Sequence, residues 1–177
     1  MGDPIVFYSR CVPQGCDAVD IALANNITVF GYPLWREGVP YDPRNLDRCL
    51  VSPALDWEEW SGARDASRSP RREYAKNRNL VSDVSNGSIA LIPRPKRGVV
   101  YAGYIKSPFQ VSNSPPWYDD YLALRKQQGL SEDSSEEMHA GDVAQYWEVD
   151  KWRALPIPDV PAWIRGSLFG RSTYARI

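Results

Sequence analysis

The stretch Gly87-Ser-Ile-Ala-Leu-Ile92, Pro93-Arg-Pro-Lys-Arg-Gly98, Val99-Val-Tyr-Ala-Gly-Tyr-Ile105 predicts a strand, a turn and a second strand. The two outer runs are rich in β-branched and aromatic residues, which suit a pleated, half-buried sheet. The segment between them carries two prolines and ends in glycine, which is typical of a turn. We therefore expect a central β-hairpin.

Shorter elements are predicted on both sides of this hairpin. Strands are expected over 5–11, 27–30 and 142–149. Helices are expected over 17–25 with Asp17 as N-cap, and over 55–60, 68–82, 119–128 and 162–169, with an irregular, proline-bordered piece over 152–161. This pattern predicts a single α+β domain spanning 1–177, built as a small β-barrel of five to six strands with peripheral short helices.

Composition limits the class of protein. The 177 residues are 43% hydrophobic and 24% charged with a formal net charge of −1, which argues against histone-like non-specific DNA binding. No apolar run approaches the roughly 20 residues of a membrane span. Residues 1–4 lead directly into a predicted strand, so we expect no signal peptide and a cytoplasmic location. The odd cysteine count (Cys11, Cys16, Cys49) favours reduced thiols, with no metal and no cofactor.

Aromatic and arginine residues cluster in polar, proline- and glycine-bordered segments. Three such segments are Gly31-Tyr-Pro-Leu-Trp35, Trp57-Glu-Glu-Trp60 and Pro115-Pro-Trp-Tyr118. The stretch 64–78 carries six basic residues against two acids, whereas 131–137 carries four acids and no base. Flat rings beside a cationic track can stack a nucleobase while holding its backbone. The alternative reading is that both charged stretches are solvated loops.

Taken together, these motifs resemble the PUA-like superfamily, in particular the EVE and YTH branch of modified-base readers found in modification-dependent restriction systems. The similarity lies in Phe7-Tyr-Ser-Arg10, in the hairpin, in Trp147-Glu-Val-Asp-Lys-Trp152, and in the tail Leu168-Phe-Gly-Arg-Ser-Thr-Tyr-Ala-Arg-Ile177. Ser88 stands where the family pattern has Asp. The resemblance implies a pocket that accepts one flipped, commonly methylated nucleotide between aromatic side chains.

Position within this pattern selects the candidate binding residues. The expected base-binding cage comprises Tyr8, Arg10, Trp35, Trp57, Trp60, Tyr104, Trp117 and Tyr118. The expected phosphate-binding residues are Arg64, Arg68, Arg71, Arg72, Arg94, Lys96 and Arg97, although charges at 94–97 also suit an exposed turn. Tyr101 and Tyr104 differ in strand parity, so both cannot face inward. Trp147, Trp152 and Trp163 lie among apolar residues and are expected in the core.

Signals for catalysis are weak in this chain. His139 is the single histidine and stands in an acidic segment, and no GxxxxGK[ST] motif occurs. Glu148, Asp150 and Lys151 have the residue types of a metal-dependent nuclease without its spacing, and a cysteine nucleophile lacks an evident base. We expect a non-catalytic reader of nucleic acid, DNA rather than RNA, with any effector nuclease encoded separately. The alternatives are a small metal-independent RNA-directed nuclease and a protein-interaction module.

Overall fold

The computed structural model describes residues 3–30, 79–112, 114–130, 142–170 and 174–177. Eight short strands occur in these ranges: β1 Val6–Ser9, β2 Ile27–Val29, β3 Ile89–Arg94, β4 Val99–Tyr104, β5 Gln110–Val111, β6 Gln145–Glu148, β7 Arg153–Pro156 and β8 Tyr174–Arg176. The α-helices include α1 Val19–Asn25, α2 Tyr118–Gln127 and α3 Ala162–Leu168, and single 3₁₀ turns span Pro13–Gly15, Pro95–Arg97 and Ile157–Asp159. The α+β class is therefore confirmed.

Five of the strands form one mixed sheet in the order β7-β4-β3-β1-β8. The predicted hairpin is confirmed, because β3 and β4 pair from Ile89↔Tyr104 to Arg94↔Val99. The hairpin turn is tighter than expected, since β3 continues through residue 94. Gly98 closes the turn at φ +69°, a left-handed conformation that glycine adopts at little cost. Strand β1 lies parallel to β3, and the other pairs in this sheet are antiparallel.

The other three strands form a second sheet in the order β2-β6-β5, with β6 antiparallel to both neighbours. An isolated bridge, Ile105↔Val149, joins the end of β4 to the end of β6. Next to it the Asp150 N–H donates to the Tyr104 carbonyl at 2.8 Å. The two sheets are thus connected at this corner.

An aromatic cluster fills the space between the two sheets. Phe7, Phe30 and Phe109 each lie with ring centroids 4.9–5.5 Å from the ring of Trp147, and Tyr174 lies 4.8 Å from Phe30. Because side chains alternate along a strand, the residues beside Phe7 on β1 point to the opposite face. Tyr8 is one of them, and it packs with Leu91 of β3 and Val100 of β4 beneath Leu168 of α3. The central strands β1 and β3 are therefore packed on both faces, whereas β7 at the sheet edge is exposed.

Helices α1 and α2 belong to a further apolar cluster, which joins Val19, Ala22, Ile92 and Tyr121. Helix α2 carries acids in its first turn and bases in its last, which matches the helix dipole. Asn26 ends α1 in the left-handed conformation. None of the helices in the described ranges has the length and hydropathy of a membrane-spanning segment.

Several expectations are corrected by the structure. Five to six strands is too few, because β5, β7 and β8 are two to four residues long and escape a pattern search. Residues 142–144 are helical, so the strand expected over 142–149 begins only at Gln145. Trp163 is wrong as a core residue, since it is 64% exposed on α3. Trp147 is confirmed as core at 1% exposure, and Trp152 is partly buried against the core.

Candidate functional site

A cleft of about 490 Å³ lies where β1 and β3 end. Because parallel neighbouring strands finish at the same sheet edge, Arg10 after β1 and Arg94 at the end of β3 meet there, although they are far apart in sequence. The hairpin turn and the segment after β1 also line the cleft; among the described residues its lining is Arg10, Val12, Asp17 and residues 93–97.

Four cationic side chains and one carboxylate line this basic cleft. Lys96 and Arg97 are exposed on the turn, and neither has an ion-pair partner within the described residues. Arg94 is largely buried and pairs with Asp17, its Nη2 donating to both carboxylate oxygens at 2.6 and 2.7 Å. The excess of positive charge suits an anionic ligand.

Arg10 connects the basic cleft to the end of α3. Its Nη2 donates to the Gly170 carbonyl at 2.5 Å. A Cβ at Gly170 would lie 3.1 Å from the Tyr8 hydroxyl, a tight contact that glycine avoids. Phe169, which precedes Gly170, is 56% exposed. An exposed aromatic ring therefore stands beside the residue that Arg10 binds.

The aromatic residues expected in a cage, where the structure describes them, do not come together. Tyr8 is 2% exposed in the cluster beneath α3. Trp117 is 6% exposed, donates from Nε1 to the Val143 carbonyl at 3.1 Å and packs edge-on against Tyr146. Trp117 and Tyr118 belong to the apolar cluster of α1 and α2, whereas Tyr104 is 56% exposed. Tyr104 lies at the other end of β4 from the turn, roughly 17 Å away along the strand.

The other expected residues fall partly outside the described residues. Arg10, Arg94, Lys96 and Arg97 all line the basic cleft, so the expected phosphate residues of the turn and one expected cage residue share one surface. The residues outside the described ranges are Trp35, Trp57, Trp60, Arg64, Arg68, Arg71 and Arg72. The predicted parity of Tyr101 and Tyr104 is confirmed, because Tyr101 packs toward α1 while Tyr104 is exposed.

A buried polar network lies behind the basic cleft. The Tyr121 hydroxyl donates to Asp142 Oδ2 at 2.8 Å, and Arg125 lies 3.5 Å from the same oxygen. Burial, followed by the nearby Asp142 charge, raises the pKa of Tyr121 well above its usual range. Burial also raises the pKa of the Cys11 thiol, and raises that of Cys16 to about 11. Both thiols are therefore protonated near neutral pH, which makes them poor nucleophiles.

A second cavity, of about 590 Å³, lies at the other end of α1 and was not predicted from the sequence. Its lining combines the half-buried Tyr101 and Trp152 with Asp150, Lys151 and residues of α1 and β7. The Trp152 Nε1 donates to the Ala22 carbonyl at 3.1 Å, which fixes the indole against α1. Of the residues that the structure describes around it, Lys151 is the single cation and Asp150 the single acid, so these residues give no excess of positive charge.

Sequence reasoning missed the acidic member of the basic cleft. Asp17 is predicted as a helix N-cap, and its Oδ1 does accept from the Val19 N–H at 3.3 Å, but Ala18 is the capping residue. Its ion pair joins residues 77 positions apart, which local patterns do not reveal. No protein-family model, no curated protein and no solved structure matches the chain.

Proposed function

We propose that this chain is a nucleic-acid-binding protein that holds a phosphate backbone in the basic cleft and accepts one flipped, methylated base beside it. DNA is the favoured nucleic acid, and reading a modified base would connect the protein to a restriction system whose nuclease is encoded separately. The observation that carries the proposal is the convergence of four cationic side chains, two of them without an ion-pair partner in the described residues, on one cleft.

The chemistry of the basic cleft favours phosphate. Arginine presents a planar fork of N–H donors that matches two phosphate oxygens, and lysine adds a compact charge. Each phosphate contact releases counterions, so three contacts through Arg10, Lys96 and Arg97 would give a logarithmic salt slope of about −2 to −3. Binding of this kind is moderate in affinity and tolerant of sequence.

The finer architecture in this proposal is a PUA-like barrel. Two features support it: the two sheets share one aromatic core, and the bridge between Ile105 and Val149 connects them at a corner. The tail quoted for the family resemblance includes β8, which pairs with β1, and Gly170, which accepts from Arg10. The tail and the first strand, two of the segments that carry the family resemblance, therefore contact each other in the fold.

The base-binding part of the proposal requires an accessible aromatic ring near the basic cleft. Phe169 is exposed and adjoins Gly170, so its ring is available for stacking beside Arg10. Stacking of a base on such a ring is worth roughly 1–3 kcal/mol, comparable to the cost of flipping a base out of a duplex. Trp35, Trp57 and Trp60 remain candidates for further walls of the cage.

Fluorescence anisotropy with labelled oligonucleotides tests the proposal. The ligands are single- and double-stranded DNA and RNA, each with and without methylated adenine or cytosine, titrated at 50 and 200 mM salt. We expect binding that weakens with salt and is tightest for one methylated DNA. Lys96→Ala and Arg97→Ala should each weaken binding several-fold and reduce the salt slope by about 0.7–0.9.

Lys151→Ala is the matched control, because it removes the same charge from an exposed residue of the other cavity. It should change affinity less than twofold. Equal losses in Lys96→Ala and Lys151→Ala would show that net charge, not the basic cleft, governs binding. No binding to any oligonucleotide would refute the proposal. Metal-independent RNA cleavage that disappears in Arg10→Ala would replace it with the nuclease alternative.

A protein-interaction module is the second candidate function, because two large apolar side chains of the α3 region are exposed. Trp163 is 64% and Phe169 56% exposed. Exposed aromatics of this size are enriched at protein interfaces. Phe169→Ala tests which candidate function uses this ring. Loss of selectivity for a methylated oligonucleotide supports the reader, whereas unchanged oligonucleotide binding removes this ring from base recognition.

A further inference from the structure

Asp17 places a fixed negative charge inside the basic cleft. Its carboxylate accepts from Arg94 Nη2 through both oxygens and from the Val19 N–H through Oδ1. The Asp17 side chain is 42% exposed and that of Arg94 only 18% exposed. The carboxylate therefore already holds Nη2 of Arg94, and it is the more accessible member of the pair to a ligand in the cleft.

The backbone of Asp17 is held independently of this ion pair. Its N–H donates to Gln128 Oε1 at 2.9 Å, and its carbonyl accepts from Gln128 Nε2 at 3.1 Å. Gln128 directly follows α2, so the end of that helix fixes the position of the residue. Because side-chain and backbone groups are both engaged, Asp17 is a built-in part of the cleft lining.

We propose that Asp17 is an internal counter-ion that reduces the preference of the basic cleft for doubly charged terminal phosphates over singly charged internal phosphodiesters. This inference rests on the proposed function. The repulsion between Asp17 and a ligand is proportional to the charge of the ligand, so a dianion is disfavoured twice as strongly as a monoanion. The attraction from Arg10, Lys96 and Arg97 is proportional to ligand charge as well, so the positive residues favour a dianion and Asp17 lowers that preference.

Removing this charge has a defined signature. Asp17→Asn keeps the shape of the side chain and leaves the backbone contacts with Gln128 in place. If affinity for a phosphodiester rises about fivefold, affinity for a phosphate dianion should rise by the square of that factor, about 25-fold. Asp20→Asn is the matched control, since Asp20 is an exposed acid of α1 that does not line the cleft.

The experiment is a competition assay at pH 8, where a phosphomonoester carries two charges. A fluorescein-labelled hexathymidylate is the reporter. The competitors are thymidylyl-thymidine, with one internal phosphodiester, and thymidine 5′-monophosphate. In Asp17→Asn the affinity for the monophosphate should rise about fivefold more than the affinity for the dinucleotide. In Asp20→Asn each affinity should change by less than twofold. Asp17→Ser, which also removes the charge, replaces Asp17→Asn if that variant is not folded.

The outcomes separate the inference from the proposed function. If Asp17→Asn raises the affinity for both competitors equally, or raises neither while the reporter still binds, the role of Asp17 is overturned and nucleic-acid binding is left intact. Equal effects of Asp17→Asn and Asp20→Asn would reduce the role to general electrostatics and overturn the inference as well. Absence of reporter binding in the wild type and in both Asp17 variants would refute the proposed function, and the inference with it.

Discussion

Replacing Gly103 by alanine tests how the second sheet closes against the first. Gly103 lies in β4 opposite Ala90, within the hairpin that the sequence predicts. A Cβ at this position would stand 2.3 Å from Val149 Cγ1, 3.0 Å from the Lys151 carbonyl oxygen and 3.3 Å from Trp152 Cε3. The glycine therefore lets the 149–152 segment cross directly over β4.

The cost of the substitution follows from what surrounds the new methyl group. Val149 is fully buried, and the Lys151 contact is with the backbone, so neither neighbour can rotate away into solvent. Overpacking in a dense core typically costs 1–3 kcal/mol. Gly→Ala also lowers the entropy of the unfolded chain by about 0.4–1 kcal/mol, which opposes the cost. We expect a net loss of about 1–2 kcal/mol in the free energy of unfolding.

Gly166→Ala is the matched control, because Gly166 lies in α3 and a Cβ there would meet nothing within 4 Å. It should stabilise the protein by about 0.5–1 kcal/mol. Both variants are compared with the wild type by urea unfolding followed by circular dichroism, with the m-value monitored. If Gly103→Ala is as stable as the wild type while Gly166→Ala behaves as expected, the packing of Val149 over β4 is refuted.

Three further variants probe buried polar groups. Ser88→Ala should cost about 2–3 kcal/mol in the free energy of unfolding, because the buried Ser88 hydroxyl accepts from two backbone N–H groups. Ser112→Ala should cost under about 0.5 kcal/mol, because Ser112 is only partly buried and its hydroxyl accepts from one N–H group; a similar cost for both would refute this reasoning. Gln145→Met should stabilise by about 1 kcal/mol in urea unfolding, since both polar atoms of the Gln145 amide are buried and have no hydrogen-bond partner among the described residues. Gln110→Met should not stabilise, because Gln110 accepts from a tyrosine hydroxyl; destabilisation by Gln145→Met would mean that its amide is hydrogen-bonded. Burial raises the pKa of Cys16 from 9.0 to about 11, so its neutral thiol stabilises the fold below pH 9 and this contribution is lost as pH rises toward 11. The difference in free energy of unfolding between the wild type and Cys16→Ala should therefore shrink by about 2 kcal/mol from pH 9 to pH 11. A difference that stays constant over this range would contradict the pKa shift.

Local patterns predicted the elements whose contacts are close in sequence. The β3–β4 hairpin, α2 and α3 all lie where hydrophobic runs and turn residues indicate them. The turn residues Arg94, Lys96 and Arg97 were predicted to bind phosphate, and Arg10 to line a cage. Their roles stay predictions, but their common position on one cleft required the parallel pairing of β1 with β3.

Neighbouring residues suffice to specify the hairpin, because its turn residues and its strand pattern act locally. Contacts between distant parts of the chain bury Tyr8 and Trp117, leave Trp163 exposed and pair Asp17 with Arg94. The short strands β7 and β8 likewise exist only because β4 and β1 offer hydrogen-bonding edges to them. Such pairings join residues far apart in the chain, so their free energy depends on contacts that no local pattern contains.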